Sequence, residues 1–227
     1  MMNCDSIARV YRWIEYAAFG PVLQRTRLHW LEQLGGARRV LLLGDGDGRF
    51  LSRFASRHPS AEVHYIDSSA RMLDLARRRI RRAALPNPDR VIFTHGNALI
   101  AVPPGQEYDL VVSHFFLDCF DEPGLSQLAA HIGPHLAPNV TWVVSDFREP
   151  RHGLRALVFC FYLRMMFLFF RYTSALETRR LADYCVFLNR LGFVRSRCAI
   201  KLGGFVFSEI WSRSPGAYTG STMRRAG

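Results

Sequence analysis

Five short apolar runs recur along the first two thirds of the chain, at residues 38–43, 61–66, 90–95, 107–113 and 139–146, most of them flanked by Gly, Pro, Asn or Asp. Runs of this length, rich in Val, Ile, Leu and Phe, read as buried strands. Between them, residues 48–58, 68–84 and 121–136 carry apolar positions at helical spacing. Strand alternating with helix implies an α/β fold, a parallel sheet with helices on both faces. Upstream, residues 5–34 read as a helical region broken at Gly20-Pro21. Downstream, 154–172 and 178–191 read as helices, and 193–201 and 205–211 as strands joined through Gly203-Gly204. The division that follows is an N-terminal helical cap over 1–36, a main domain over 37–212 with a helical insertion at 150–192, and a frayed tail over 213–227.

The first apolar run enters the most distinctive local sequence, Val40-Leu41-Leu42-Leu43-Gly44-Asp45-Gly46-Asp47-Gly48. Alternating glycines let the backbone turn tightly and approach a ligand without Cβ clashes. The second run ends at Asp67, about 20 residues further on, the spacing at which an acid at a strand end accepts hydrogen bonds from ribose hydroxyls. A pyrophosphate-binding turn has the spacing G-x-G-x-x-G, with the phosphates on a helix N-terminus. Here the spacing is G-x-G-x-G, and Asp45 and Asp47 sit inside the turn. Carboxylates there repel a pyrophosphate and tolerate a sulfonium or amino group. The pattern therefore favours S-adenosylmethionine over a nicotinamide or flavin dinucleotide.

Residues 40–50 resemble motif I of the class I S-adenosylmethionine-dependent methyltransferases, and His64 to Leu73 resembles the segment after it. Val91-Ile92-Phe93-Thr94-His95-Gly96-Asn97-Ala98 is similar to the family's third strand and its residue near adenine. Tyr108 to His114 is similar to the fourth strand, and Leu136-Ala137-Pro138-Asn139 leading into 140–146 to the turn and fifth strand. The resemblance covers roughly residues 38–147. It implies a Rossmann-like, mostly parallel seven-stranded sheet finished by antiparallel strands, with a helical insertion after strand five. It also implies a cofactor site made of Gly44, Asp45, Gly46, Asp47, Gly48, Asp67, Ser68, Met72, Asn97, Ala98 and Ser113, with S-adenosylhomocysteine as the product. Two positions depart from the family. Leu42 stands where an acid is usual, so either Asp45 or Asp47 compensates or affinity for the cofactor is reduced. Asn97 stands where Asp is commoner, a mild change because an amide also hydrogen-bonds an adenine edge.

Ligands of open α/β sheets bind outside the carboxyl ends of the strands, which points Ser113 to Phe120 and Asp146 to Arg148 toward the reacting methyl group or its acceptor. His114 is a candidate general base, having an ordinary pKa of about 6.5, or a structural histidine hydrogen-bonded beneath the cofactor. Asp118 either orients His114, takes the proton itself, or caps the helix beginning near Asp121; Asp146 completes the candidate catalytic set. Phe115 and Arg148 are expected on the substrate side. An Asn/Asp-Pro-Pro-Tyr/Phe sequence, which marks many amide and adenine N-methyltransferases, is absent after strand four, where the chain reads Ser113-His114-Phe115-Phe116. An oxygen or carbon acceptor is therefore favoured. The N-terminal Asp5 to Tyr11 resembles the opening helix of the small-molecule branch that includes quinone- and polyketide-methylating enzymes. By that resemblance Tyr11 and Tyr16 close over the pocket, or they pack.

The insertion, 154–170, is apolar on nearly every face. A membrane-spanning helix needs about 20 apolar residues and disfavours a central arginine, so Arg155 and Arg164 argue against one. It reads as a core helix or homodimer interface, or as a lid over a greasy pocket, with Phe161 and Met165 on the substrate, that also touches a membrane surface. Its distance from the N-terminus rules out a signal peptide.

With 227 residues and 49% hydrophobic composition the chain buries a full core, in one domain. Five cysteines without CxxC spacing read as reduced thiols of a cytoplasmic protein, and no metal site is expected. The net charge of +11 invites an anionic partner, but Lys201 is the sole lysine and the remaining bases are arginine, a bias that a GC-rich genome also produces. The run Arg77 to Arg82 reads as a solvated helix face or as a phosphate or headgroup patch. The expectation is a cytoplasmic methyltransferase, with peripheral membrane contact as an option, acting on oxygen or carbon of a hydrophobic aromatic small molecule. An RNA methyltransferase and a noncatalytic adenosyl- or partner-binding protein are the two other readings.

Overall fold

A computed structural model describes residues 21–103, 107–148 and 183–213. Seven strands form one sheet in the order β3-β2-β1-β4-β5-β7-β6. They are β1 (Arg39–Leu43), β2 (Glu62–Asp67), β3 (Val91–His95), β4 (Tyr108–His114), β5 (Leu136–Phe147), β6 (Phe193–Lys201) and β7 (Val206–Arg213). The first five run parallel, and β7 lies antiparallel between β5 and β6. The helices among the described residues are α1 (Val22–Arg27), α2 (Arg49–Arg57), α3 (Ala70–Arg82), α4 (Glu122–Ile132) and α5 (Tyr184–Arg190). The expected strands and the interleaved helices are all present. The helix expected over 121–136 ends at Ile132, because Gly133-Pro134 stops it, and β5 starts earlier, at Leu136. Of the helical region expected over 5–34, the described part is α1 and a short 3₁₀ turn at Leu31–Leu34. The apolar insertion over 154–170 and residues 214–227 of the expected tail lie outside the described residues, whereas Arg213 still belongs to β7.

Strand parity sorts the core into two layers. Leu41 and Leu43 of β1 join Val111, Trp142 and Val144 on the face covered by α4 and α5. Val40 and Leu42 join Leu110, Val112 and Val143 on the face covered by α2 and α3. The helices meet those layers with apolar positions at helical spacing: Phe50, Leu51, Phe54 and Ala55 on α2; Leu73, Ala76 and Ile80 on α3; Leu125, Leu128 and Ile132 on α4. Their starts are fixed by side chains accepting from orphan backbone amides: Ser69 from Met72, Asp121 from Gly124, and Asp183 from Cys185. Asp121 thus holds the cap considered for Asp118.

Glu209 ties the antiparallel end of the sheet together. It is fully buried on β7, and its carboxylate accepts from Tyr184 Oη at 3.1 Å, Trp211 Nε1 at 3.0 Å, Arg195 at 2.9 Å and Arg148 at 3.2 Å. Four donors from α5, β6, β7 and the end of β5 converge on one group, so its desolvation is offset by charge-assisted bonds. Arg148, expected to face substrate, is engaged here and over the Phe207 ring at 5.0 Å. Glu209→Ala leaves these donors without their acceptor. Because both arginines are partly exposed the cost is moderated to about 2–3 kcal/mol, read as a lowered urea midpoint; an unchanged midpoint would remove Glu209 from this role.

Candidate active site at the carboxyl ends of the strands

The turn after β1 is built by close contacts. Gly44, Gly46 and Gly48 all have positive φ, at 62°, 61° and 75°. A Cβ on Gly44 would lie 2.4 Å from the Phe116 ring, and one on Gly48 2.7 Å from the Ala76 Cβ. These two glycines are required by the protein's own packing. Around Gly46 the nearest atom to such a Cβ is Met72 Sδ at 4.0 Å, so here the bare backbone faces open space.

The two acids in the turn have different surroundings. Asp47 is neutralised: its carboxylate pairs with Arg79 at 2.7 Å and Arg49 at 3.2 Å, and Arg79 Nε also donates to the Asp47 carbonyl at 2.9 Å. The arginine run of α3 is therefore more than a solvated face. Arg79 braces the turn, and Arg77 lies over the Phe93 ring and pairs with Asp74. Asp45 is buried. Its Oδ2 accepts from Leu51 N at 2.9 Å, capping α2, while Oδ1 has no hydrogen-bond partner. Burial pushes its carboxyl up to about 7. Leu42, where the family acid was expected, is 1% exposed and packs with the α2 and α3 layer.

Asp67 ends β2 beside this turn. Its carboxylate accepts from Ser69 N at 2.9 Å and lies 2.7 Å from Tyr65 Oη, which is 2.6 Å from the Gly46 carbonyl. One phenol proton thus stands between two acceptors, and burial holds the Asp67 carboxyl above its ordinary range. Tyr65 was missed as a site residue, although its position two before Asp67 on the same strand face carried the signal. Ser68 and Asn97 are exposed at the ends of β2 and β3 and Met72 is half-buried, whereas Ala98 is buried in the core. Asn97 Oδ1 accepts from Leu99 N at 3.0 Å.

Ser113 departs from expectation. Its side chain is fully buried and its hydroxyl accepts from Trp142 Nε1 at 2.9 Å, because it shares strand parity with Val111 and turns into the opposite core layer. His114 faces the other way, 2% exposed, with its ring edge-on to Phe50 at 4.7 Å. Neither ring nitrogen has a hydrogen-bond partner, so the hydrogen-bonded structural role is not met. Burial, with the charge of Arg27, holds its pKa well below the usual range and the ring neutral. Asp118 does not orient it.

Asp118 instead turns to Asp146 at the end of β5. The Asp118 amide donates to Asp146 Oδ2 at 3.3 Å, and the Cys119 thiol lies 3.6 Å from Asp118 Oδ1. Burial pushes the Asp118 carboxyl up to about 6, and burial with the charge of Asp118 pushes Asp146 well up. The two acids raise one another's proton affinity and titrate as a pair. Phenylalanines neighbour the pair in the chain, Phe115 packing on Phe147 at 4.9 Å and Phe116 on Phe120 at 5.1 Å. Phe115 has φ of 55°, an uncommon conformation for a non-glycine residue, and Arg27 of α1 lies over its ring at 4.9 Å. Arg27 has no counterpart in the sequence reading, since nothing local links α1 to the turn. Tyr11, Tyr16, Phe161 and Met165 lie outside the described residues.

Residues 40–139 match the model of a methyltransferase domain family. Over 127 residues the chain is 31% identical to the demethylmenaquinone methyltransferase of Deinococcus radiodurans, covering 56% of this chain and 50% of that one. Over 90 residues it is 36% identical to the release factor glutamine methyltransferase of Xylella fastidiosa, covering 40% and 31%. The chain thus spans half or less of the length of these relatives. Among solved structures it superposes on the mitomycin 7-O-methyltransferase MmcR with a TM-score of 0.67 at 15% identity, over 92% of this chain and 60% of that one. The sheet order and the glycine turn agree with the methyltransferase-domain match over residues 40–139, and the findings support S-adenosylmethionine as the cofactor. The residues present fit that cofactor: an open backbone at Gly46, an acid at the end of β2, and a buried carboxylate oxygen at Asp45 that lacks a partner. Among the described residues no helix is long and apolar enough to cross a membrane.

Proposed function

We propose that this protein transfers a methyl group from S-adenosylmethionine to an oxygen or carbon atom of a hydrophobic, aromatic small molecule. The observation that carries the reading is the convergence of three groups at the carboxyl ends of β1, β2, β4 and β5. These are the glycine turn, Asp67, and the paired acids Asp118 and Asp146 with phenylalanines next to them in the chain. The pair lies close enough to the cofactor crevice that Asp118, Asp146 and Asp67 all add to burial in pushing the Cys119 thiol well up.

When bound, the cofactor supplies an electrophilic methyl carbon on a sulfonium, so alignment and exclusion of water dominate the chemistry. In this reading Asp67 accepts from the ribose hydroxyls, competing with Tyr65 for its own carboxylate. The Asn97 amide meets the adenine edge, with Ser68 and Met72 beside the adenosine. Asp47 supports the turn through Arg49 and Arg79 rather than touching ligand. Asp118 is the better-placed proton acceptor than His114: it is half-buried rather than enclosed, and burial holds its carboxyl up at about 6. The aromatic side chains after β4 and the lack of a Pro-Pro pair there support a flat, apolar acceptor over an amide. The D. radiodurans relative, named for a quinone substrate, and MmcR, named for an oxygen acceptor, support the same class.

Two measurements test this. Asp67→Ala is expected to weaken S-adenosylhomocysteine by about ten- to a hundredfold in calorimetry, the loss of two charge-assisted bonds; equal affinity would sink the ribose assignment. With a phenolic or quinol acceptor, turnover of the wild type should rise with pH through about 6 and level off above it, as Asp118 loses its proton. Asp118→Asn should flatten that profile and cut kcat about a hundredfold or more with the cofactor KM kept. An unaltered profile would take the proton transfer away from the pair.

A further inference from the structure

Tyr65 is fully buried, and its hydroxyl meets two acceptors: the Gly46 carbonyl at 2.6 Å and Asp67 Oδ2 at 2.7 Å. One acceptor belongs to the glycine turn and the other ends β2, so the phenol joins two parts of the candidate cofactor crevice. A hydroxyl carries one hydrogen, which serves one acceptor well at a time. Burial first, and then the charges of Asp67, Asp45 and Asp47, hold the phenol well above its ordinary range, so it keeps that hydrogen. The ring packs in the α2 and α3 layer, edge-on to Phe93 at 5.9 Å. Rotation of the O–H bond is then enough to change the acceptor, with no heavy atom moving.

The two acceptors differ in strength. A hydrogen bond to a carboxylate is charge-assisted and roughly twice as strong as one to a neutral carbonyl, so in the empty protein the hydrogen goes to Asp67. The other oxygen of that carboxylate takes the Ser69 amide at 2.9 Å. A ligand hydroxyl arriving on Asp67 supplies the kind of bond that Tyr65 has been giving, and frees the phenol to donate to Gly46. We propose that Tyr65 is a two-position hydrogen-bond switch: it stands in for a ribose hydroxyl on Asp67 while the site is empty, and turns to the Gly46 carbonyl when the ribose takes its place. The inference rests on the reading of Asp67 as the ribose acid and deepens it, by naming a positioning residue that acts through that acid. The consequence concerns selectivity. With the phenol present, a ribose hydroxyl exchanges for a bond already made and its net worth is small; without the phenol it fills a bare carboxylate oxygen and is worth more.

The test is calorimetry on the full chain at pH 8.0 with two probes, S-adenosylhomocysteine and its 2′,3′-dideoxy analogue, which lacks the ribose hydroxyls. The ratio of the two affinities measures what those hydroxyls are worth. Tyr65→Phe is expected to raise that ratio about three- to tenfold over the wild type, through tighter S-adenosylhomocysteine, with the dideoxy analogue changed by less than about twofold. A purely structural tyrosine would weaken both probes alike and leave the ratio unchanged; one that rigidly orients Asp67 would lower it. Either result overturns the switch while leaving the methyltransferase reading in place. Should the variant not fold, 3-fluorotyrosine at position 65, nearly isosteric and a stronger donor, decides instead. It is expected to lower the ratio about twofold below the wild type, since its bond to Asp67 is harder to displace; an unchanged or higher ratio then overturns the switch. Failure of the wild type to bind S-adenosylhomocysteine overturns both the switch and the reading on which it rests.

Discussion

At Gly44 a single added carbon would come within 2.4 Å of the Phe116 ring, and at Gly48 within 2.7 Å of Ala76. That closeness locks the segment after β4 and helix α3 against the turn after β1, so three separate stretches of chain meet at one end of the sheet. The rest of the candidate site inherits its position from this contact. Asp45 reaches the amide of Leu51 because Gly48 lets α2 start at a sharp angle, and Arg79 reaches Asp47 because α3 lies on Gly48. Phe115, in its uncommon backbone conformation, and Asp118 are carried toward β5 by the same segment that Phe116 presses on Gly44.

A second constraint is electrostatic. Asp45, Asp67, Asp118 and Asp146 all have carboxyl groups raised by burial. The folded chain then holds protons that the unfolded chain has already lost, so between the ordinary carboxylate range near 4 and the raised values the folded state loses stability as pH rises. Such an arrangement is costly to the empty protein. Glu209, equally buried, shows the alternative: four donors of the chain already surround it, and it serves the sheet rather than the site.

The strands were legible because each is a short apolar run closed by turn residues, and a buried parallel sheet leaves few other ways to satisfy such runs. The end of α4 at Gly133-Pro134 was also written in the sequence and was overrun. The glycine turn and Asp67 were legible as a pair, since spacing alone puts both at the carboxyl end of adjacent strands. What failed was side-chain direction. Ser113 was placed on the ligand although its parity with Val111 turns it toward Trp142, and Arg148 was placed on substrate although it pairs with Glu209. Contacts between distant segments, such as Phe116 on Gly44, Asp146 with Asp118, and Arg27 over Phe115, leave no periodic trace and needed the fold.

In the proposed function, adenosyl ligands bind at the carboxyl ends of β1 to β3, over the glycine turn. Hydrogen–deuterium exchange with and without saturating S-adenosylhomocysteine tests it most directly. Protection is predicted at residues 44–51, 65–72 and 97–99, with no change at the opposite end of the sheet around Gly36, Asn139 and Ser196, where an open polar pocket of about 570 Å³ lies. Protection confined to that opposite pocket, or none anywhere, would contradict the account.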